Sequence, residues 1–203
     1  MAYNEFSLAE LKSHYGLTWT EGGDLFPDVA EVPLPPGLAS NLKRYLPLAL
    51  NLNTEKARSE LLIAPMLVEL KLAYPNRLSL FSGIEFNVEP LNGLTGRCDC
   101  ILSRNAEQLA LSAPACVLVE AKSENIVGGI PHCLAVMIAA QRFNAKAGLV
   151  PEPIFGDVTT GVLWRFLMLE GNRGAVDARE YPIQQPERLY GILRRIALGT
   201  EVG

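Results

Sequence analysis

The sequence is poor in the positive charge that general nucleic-acid-binding surfaces require. Its 203 residues contain 18 Lys and Arg against 22 Asp and Glu, which gives a formal net charge of −4. Indiscriminate binding to nucleic acid depends on the neutralisation of phosphates by Lys and Arg, so this balance excludes a uniformly basic surface. It is compatible with a local basic groove, because the field over one patch depends on the charges in that patch.

Cysteine and long apolar runs are also scarce. The four Cys residues, at positions 98, 100, 116 and 133, lie in or beside predicted core segments. This placement indicates reduced thiols rather than a disulfide framework. No apolar run approaches the roughly 20 residues that span a bilayer, and residues 1–5 lack the pattern of a signal peptide. We therefore expect a cytoplasmic protein with no membrane association.

Glycine fingerprints of nucleotide binding and internal repeats are absent from the sequence. Gly128 and Gly129 are adjacent but lack the companion residues of a phosphate-binding loop. Zinc is an alternative suggested by Cys98 and Cys100 together with the pair His132 and Cys133. Residues two apart on a strand share a face and do not form the usual Cys-x-x-Cys knuckle. Small core side chains are therefore the favoured interpretation, and a zinc-dependent structural module is kept as an alternative.

Apolar residues make up 49% of the chain, which is enough for one domain with a sizeable core. Ser7 and Glu10 form a capping box for a helix that Gly16 ends. Proline and glycine punctuate residues 20–37, which predicts an arm laid over the surface. We divide the chain into an N-terminal helix and proline-rich arm (residues 1–50), packed on a single core domain (residues 51–203).

The core domain begins with a long helix capped near Thr54 and kinked at Pro65. The pattern of apolar residues then predicts strands over residues 78–88, 98–102 and 117–121, a helix over 130–146, strands over 158–170 and 175–183, and a helix from 186 to 198. The order is αβββαβ, followed by further elements. It predicts an α/β (α+β) fold with a central mixed sheet flanked by helices.

One stretch combines apolar residues with paired charges. Residues 117–122 read Val-Leu-Val-Glu-Ala-Lys, so Glu120 and Lys122 emerge on the same face of a strand. Asp99 supplies a second carboxylate at the start of the preceding strand. Charges at the end of a buried strand are costly unless they meet partners, so we expect these three side chains to form a site.

The order of Asp99, a strand, and then Glu120-x-Lys122 resembles the PD-(D/E)XK nuclease superfamily, or restriction endonuclease-like fold. Cys98 stands where the motif has proline. The stretches 158–161 and 164–166 are similar to nuclease domains of type I restriction enzymes. The resemblance extends to Glu60 on the first helix, which shares a predicted core-facing stripe with Ala64 and Leu67, and to Gln141 on the helix after Lys122.

The resemblance implies a metal-dependent endonuclease that acts on DNA. Asp99 and Glu120 would bind Mg²⁺, with Mn²⁺ as a substitute. Lys122 would orient the attacking water or stabilise negative charge, Glu60 would assist, and Gln141 would position the substrate. A homodimer is compatible with cutting both strands of a duplex.

Two further expectations concern charge. The two carboxylates should raise the pKa of Lys122 when no metal is bound and keep it protonated. Arg142, Lys146 and Arg165 are candidates for a phosphate-binding groove. The alternative function is a catalytically inactive protein of the same fold that binds nucleic acid or a partner protein.

Overall fold

The structure is a computed structural model that describes residues 2–199. Its helices are α1 (Leu8–Tyr15), α2 (Pro36–Leu52), α3 (Glu55–Arg58), α4 (Ala64–Ala73), α5 (Ile126–Lys146) and α6 (Pro186–Leu198). A π-helical turn (Ser59–Ile63) joins α3 to α4, and short 3₁₀ turns occur at Tyr3–Glu5 and Pro90–Asn92. The strands are β1 (Thr18–Gly23), β2 (Ser79–Glu85), β3 (Arg97–Ser103), β4 (Ala115–Ala121), β5 (Ile154–Thr159), β6 (Leu163–Glu170), β7 (Arg173–Asp177) and β8 (Tyr181–Pro182).

The strands form one mixed sheet in the order β1-β7-β6-β5-β4-β3-β2, with β8 paired to β6. Strands β2, β3 and β4 are antiparallel neighbours, and β5 runs parallel to β4 after the crossover through α5. Helices flank the sheet, which confirms the predicted α/β class. One prediction was incomplete: residues 18–23, at the start of the expected surface arm, form strand β1 and pair in parallel with β7.

The sheet separates two apolar cores. On one face, α5 and the N-terminal residues around Tyr3 and Leu11 pack against side chains such as Leu118 and Val158. On the other face, α2, α4 and α6 cover side chains such as Val119 and Phe166. Because side chains alternate along a strand, the neighbours Leu118 and Val119 of β4 enter different cores.

Local sequence signals account for the helix ends. The Ser7 side chain accepts the Glu10 N–H, the Glu10 side chain bonds back to Ser7, and Gly16 ends α1 in the left-handed region. Pro186 begins α6, as predicted, and the predicted apolar stripe of that helix is buried. That stripe consists of Leu189, Ile192, Leu193 and Ile196.

The helix predicted across Pro65 is interrupted rather than simply kinked. The π-helical turn precedes α4, and Pro65 is the second residue of α4. Proline has no backbone N–H to bond the preceding turn, and a wider π turn is one of the usual ways in which a helix accommodates such a defect. The turn changes the rotational phase of every residue before it relative to α4.

Helix α5 is long and apolar enough to span a membrane, although the sequence predicts no segment of that length. By length and composition alone its 21 residues would suffice, and the mean hydropathy of its most apolar window is 1.4. However, 61% of that window is buried inside the fold, as in the core helix of a soluble protein. Contact with the sheet therefore accounts for its apolar composition.

Candidate active site

Asp99, Glu120 and Lys122 converge at the end of strands β3 and β4. The Lys122 ammonium lies 2.5 Å from Glu120 Oε1. Asp99 Oδ2 accepts the backbone N–H of Ala121 at 2.9 Å. Because Ala121 lies between Glu120 and Lys122 in the chain, this bond fixes Asp99 beside both of them. Glu120 is only 4% exposed, so its charge is held within the fold and does not lie in solvent.

An irregularity in β2 contributes to this convergence. Gly83 has φ +64 and lies between the residues paired with Cys98 and Cys100. Those two cysteines enter opposite cores, although residues two apart on a regular strand share a face. The pleat of β3 is thus interrupted around Asp99, the residue between them. The two cysteines therefore do not face a common zinc ion.

His132 on α5 is a further member of the site. Its Nδ1 lies 2.8 Å from Glu120 Oε1, the same oxygen that Lys122 approaches. The other ring nitrogen, Nε2, is buried and has no hydrogen-bond partner among residues 2–199. The Tyr3 ring stacks on the imidazole with ring centroids 6.2 Å apart. These contacts hold the imidazole in one orientation beside Glu120.

The charges of the site act on one another. Burial, followed by the charge of Glu120, raises the pKa of Asp99, while the Ala121 N–H and Lys122 oppose the shift. Burial alone would lower the pKa of Lys122, but the hydrogen bond and charge of Glu120, with Glu55 and Asp99, outweigh it and raise that pKa. Lys122 is therefore a protonated group, as expected without a bound cation.

The predicted core-facing position of Glu60 is wrong. Glu60 lies on the exposed side of the π-helical turn and pairs with Lys56 at 2.7 Å, with the two side chains 60% and 82% exposed. The expected core-facing stripe assumed one α-helical period through Ala64 and Leu67, and the π turn breaks that period. Glu55, in the first turn of α3, is the helical carboxylate whose charge reaches both Asp99 and Lys122.

Arg58 fixes α3 against the site. Its Nη1 donates to the Ser123 carbonyl at 2.8 Å, one residue beyond Lys122, and its Nη2 donates to Asn53 Oδ1 at 2.6 Å. Gly161, with φ +76, lets the β5–β6 turn approach Arg58, since a Cβ there would lie 3.3 Å from the arginine. The β5–β6 turn thus supports the helix carrying Glu55.

Gln141 does not join the site. It lies on α5 nine residues beyond His132, about 13 Å along the helix axis. Its neighbour Asn144 bonds the backbone of Ala115, at the start of β4, through both side-chain atoms at 2.9 Å. Gln141 therefore lies toward the opposite end of the sheet, because α5 runs antiparallel to β4. Spacing along the sequence alone did not indicate this direction.

The predicted phosphate-binding groove is also not formed next to the site. Arg142 and Lys146 share the distant end of α5 with Gln141, and Lys146 Nζ donates to the Val88 carbonyl at 2.8 Å. Arg165 lies in register with Val158, which is itself in register with Glu120, two strands away. The Arg165 Nε donates away from the site, to the Asp177 carbonyl at 3.1 Å.

The donor set is suited to a hard cation. Asp99 provides a half-buried carboxylate and Glu120 a buried one, and the charge of a third carboxylate, Glu55, reaches the site, against one ammonium. Within the described part of the chain, no group of three or more His, Cys, Asp or Glu side chains stands ready to ligate a metal together. Magnesium commonly takes one or two protein carboxylates and keeps several waters, so two carboxylates are compatible with it.

Two residues of the site, Glu55 and His132, were not predicted from the sequence as members of it. Glu55 directly follows the capping residue Thr54, and its position in the first turn was a signal for a carboxylate at a helix start. The sequence suggests His132 only as a zinc ligand beside Cys133. Its position two turns into the helix after Lys122 could have identified it, once that helix was placed antiparallel to β4.

No protein-family model, curated protein or solved structure matches this chain. The class of the site therefore follows from its own residues and their geometry.

Proposed function

We propose that the chain is a Mg²⁺-dependent endonuclease of the PD-(D/E)XK type that acts on DNA. The observation that carries this proposal is the convergence of Asp99, Glu120 and Lys122 at the end of β3 and β4. The motif residues are separated by a loop in the sequence, so their meeting was not guaranteed by spacing. Glu55 takes the role that the sequence suggested for Glu60.

The arrangement of elements supports the proposal. The helical segment from α3 to α4 precedes an antiparallel meander of β2, β3 and β4, and α5 then leads to β5, which is parallel to β4. The order αβββαβ is the one expected for a restriction endonuclease-like core, and it supports the proposal. Asp99 near the start of β3 and Glu120 near the end of β4 lie where the chain leaves the meander for the crossover helix α5.

Each residue of the site has a chemical role in the proposed reaction. Asp99 and Glu120 would hold Mg²⁺, or Mn²⁺ in its place, and the bound cation would offset negative charge on the phosphoryl group. Lys122 carries a positive charge and three donors. One donor contacts Glu120, so the others are free to orient the attacking water or to stabilise charge on a phosphoryl oxygen. His132 positions Glu120 through Nδ1.

The experiment compares two Lys–Glu pairs in a plasmid-nicking assay with Mg²⁺ or Mn²⁺. Glu120→Gln and Lys122→Ala should each lower the nicking rate by about 100-fold or more, because each removes charge stabilisation in the transition state. Glu60→Gln and Lys56→Gln change the same residue types in an exposed pair and should leave the rate unchanged. Cleavage that survives Glu120→Gln and Lys122→Ala would exclude this site as the nuclease.

Metal binding provides a second measurement that does not depend on turnover. Titration of the wild type with Mn²⁺ in a calorimeter should give saturable binding, and Glu120→Gln should weaken it by about tenfold to 100-fold. Glu60→Gln serves again as the matched control. Equal Mn²⁺ affinity in wild type and Glu120→Gln would argue against Glu120 as a ligand.

A second candidate is a non-hydrolytic protein of the same fold that binds nucleic acid or a partner protein. One observation favours it: Glu120 Oε1 already has both Lys122 and His132 as partners, so the carboxylate is satisfied without a cation. The net charge of −4 points the same way. In that case the wild type would neither bind Mn²⁺ nor cleave the plasmid, and Lys122→Ala would have no effect on nicking.

The proposed substrate and assembly follow from the same site. DNA is the proposed substrate, and a homodimer would bring two such sites to the two strands of a duplex. Sedimentation of the wild type with and without a short duplex measures the assembly directly. A chain that stays monomeric on the duplex would restrict the proposal to nicking of one strand.

A further inference from the structure

A cavity of about 580 Å³ lies at the end of the molecule opposite the candidate active site. It is bounded by the second half of α5, the chain leading into β5 and the turn between β6 and β7. Its apolar walls include Tyr15, Leu17, Ile138, Leu149 and Ile154. Pockets of this volume, with mostly apolar walls and a few polar groups, are typical of small-molecule sites.

The polar groups of the cavity are concentrated on α5. Gln141 and Arg142 both line it, and within residues 2–199 neither side chain has a hydrogen bond or ion pair. Arg104 lines another wall, and its Nε is buried without a partner in the described chain. Two guanidinium groups and an amide thus border one apolar space. All three are donors, and the guanidinium groups have no acceptor.

The charges around the cavity leave an excess of positive charge. Arg104 pairs with Glu152, which also lines the cavity, at 2.6 Å. Glu89 lies near enough to raise the pKa of Tyr15, after the larger effect of burial. That carboxylate is engaged by Asn92 at 3.0 Å and by Lys146 at 3.7 Å. The acids are therefore paired, and the Arg142 charge is left uncompensated.

We propose that this cavity binds a small amphipathic monocarboxylate. The apolar body of the ligand lies against Ile138, Leu149 and Ile154, and its carboxylate meets Arg142 and Gln141 at the α5 wall. A guanidinium binds a carboxylate through two parallel hydrogen bonds, and this geometry selects an anion over a neutral analogue. The site shares no residue with the Asp99–Glu120–Lys122 site, so the inference stands independently of the proposed nuclease activity.

The test uses octanoate as the probe and 1-octanol as its neutral analogue in isothermal titration calorimetry. Wild-type protein should bind one octanoate per chain, about tenfold more tightly than 1-octanol, because a hydrogen bond to a charged group adds to the shared apolar contact. Arg142→Gln should reduce the affinity for octanoate to that for 1-octanol. Arg44→Gln, an exposed arginine on α2, is the matched control and should bind as the wild type does.

A second variant tests the location of the apolar body. Ala145 lines the cavity from the exposed side of α5, so Ala145→Trp fills the space with little disturbance of the core. It should abolish binding of both probes while the unfolding temperature stays close to that of the wild type. Three results would overturn the proposal: no saturable octanoate binding, equal affinities for the two probes, or undiminished binding by Ala145→Trp.

Discussion

Two buried carboxylates on neighbouring strands of this sheet have opposite surroundings. Glu120 on β4 faces the α5 side, is 4% exposed, and has Lys122 and His132 as partners. Asp157 on β5 faces the α4 and α6 side, is fully buried, and neither of its oxygens has a hydrogen-bond partner within residues 2–199. Their positions differ by one step of register, since Glu120 pairs with Val158.

The difference shows how the presence or absence of partners decides what a buried carboxylate can do in this fold. Burial raises the pKa of Asp157 well above its usual range, and the backbone of Arg165 opposes only part of the shift. A lone buried charge is costly enough that such a group stays protonated. Glu120 instead has the Lys122 ammonium at 2.5 Å and the His132 imidazole at 2.8 Å. A carboxylate with partners is available for chemistry, and a protonated one in an apolar core is not.

The largest expected effect comes from removing the cation beside Glu120. Lys122→Met should lower the free energy of unfolding by about 3 kcal/mol, toward the lower end of the cost of breaking a buried ion pair, since the Lys122 side chain is 28% exposed. The measurement is urea denaturation at neutral pH. Met is similar in length to Lys, so little packing is lost.

The double variant Glu120→Gln with Lys122→Met is the control for this prediction. It removes both charges, and it should regain most of the stability that the single variant loses. If Lys122→Met unfolds at the same urea concentration as the wild type, the difference between Glu120 and Asp157 does not depend on Lys122.

The second prediction is a gain in the free energy of unfolding rather than a loss, because ionisation of Asp157 destabilises the fold. The folded pKa of Asp157 lies above its unfolded value, so its contribution is fully present below the unfolded pKa and is lost as pH rises toward the folded pKa. Asp157→Asn cannot ionise. Relative to the wild type it should gain stability as pH rises above about pH 4, by about 1.4 kcal/mol per pH unit until the folded pKa of Asp157 is reached.

Denaturant unfolding at several pH values measures this difference, and taking the difference between two pH values cancels the effect of the amide itself. Asp28→Asn, in the exposed arm, is the matched control and should follow the wild-type curve. A wild type and an Asp157→Asn variant that unfold in parallel at all pH values would mean that Asp157 ionises freely in the fold, as a solvated carboxylate does.

The surroundings of Glu120 could largely be predicted from the sequence. Alternation along residues 117–122 correctly gave Glu120 and Lys122 a common face, and the αβββαβ order of elements was predicted from apolar periodicity and turn residues. These signals are local. Strand alternation and helix starts such as those at Ser7 and Pro186 depend on neighbours within a few residues, so they can be predicted without knowledge of the tertiary structure.

The remaining features depend on contacts between distant segments. The π-helical turn moves Glu60 away from the site, so Glu55 is the helical carboxylate whose charge reaches it. No local sequence pattern determines how a helix accommodates Pro65. The direction of α5 relative to β4 decided that His132, and not Gln141, meets Glu120. No local pattern in residues 154–159 distinguishes Asp157, because its lack of partners is a property of the packed core.

The third prediction concerns how closely Lys122 is held to Glu120. Gly129 on α5 leaves room for the lysine stem: a Cβ at this position would lie 2.7 Å from Val158 Cγ1 and 3.0 Å from Lys122 Cε. Gly129→Ala should therefore lower the free energy of unfolding by about 1 kcal/mol, since overpacking outweighs the gain in helix propensity.

Gly37→Ala on α2 is the matched control, because the nearest atom to its new Cβ would be Glu69 Oε1 at 3.9 Å. The control should be neutral or slightly stabilising. The Gly129→Ala variant should also lose metal-dependent nicking, if the nuclease proposal holds, because Lys122 is displaced. A Gly129→Ala chain that is more stable than the wild type would mean that the stem of Lys122 moves aside without cost.

The smallest expected effect belongs to the Lys56–Glu60 pair, which resembles Lys122–Glu120 in composition and lies in solvent. The two side chains are 2.7 Å apart but 82% and 60% exposed, so the pair should contribute only about 0.3 to 0.5 kcal/mol, and less at high salt. Urea denaturation of Glu60→Gln at low and high salt measures this contribution. A loss of 2 kcal/mol or more would show that distance rather than burial sets the strength of a Lys–Glu pair in this protein. The small loss expected would instead assign the difference between the pairs to the α5 core around Glu120, where water cannot replace the missing partner.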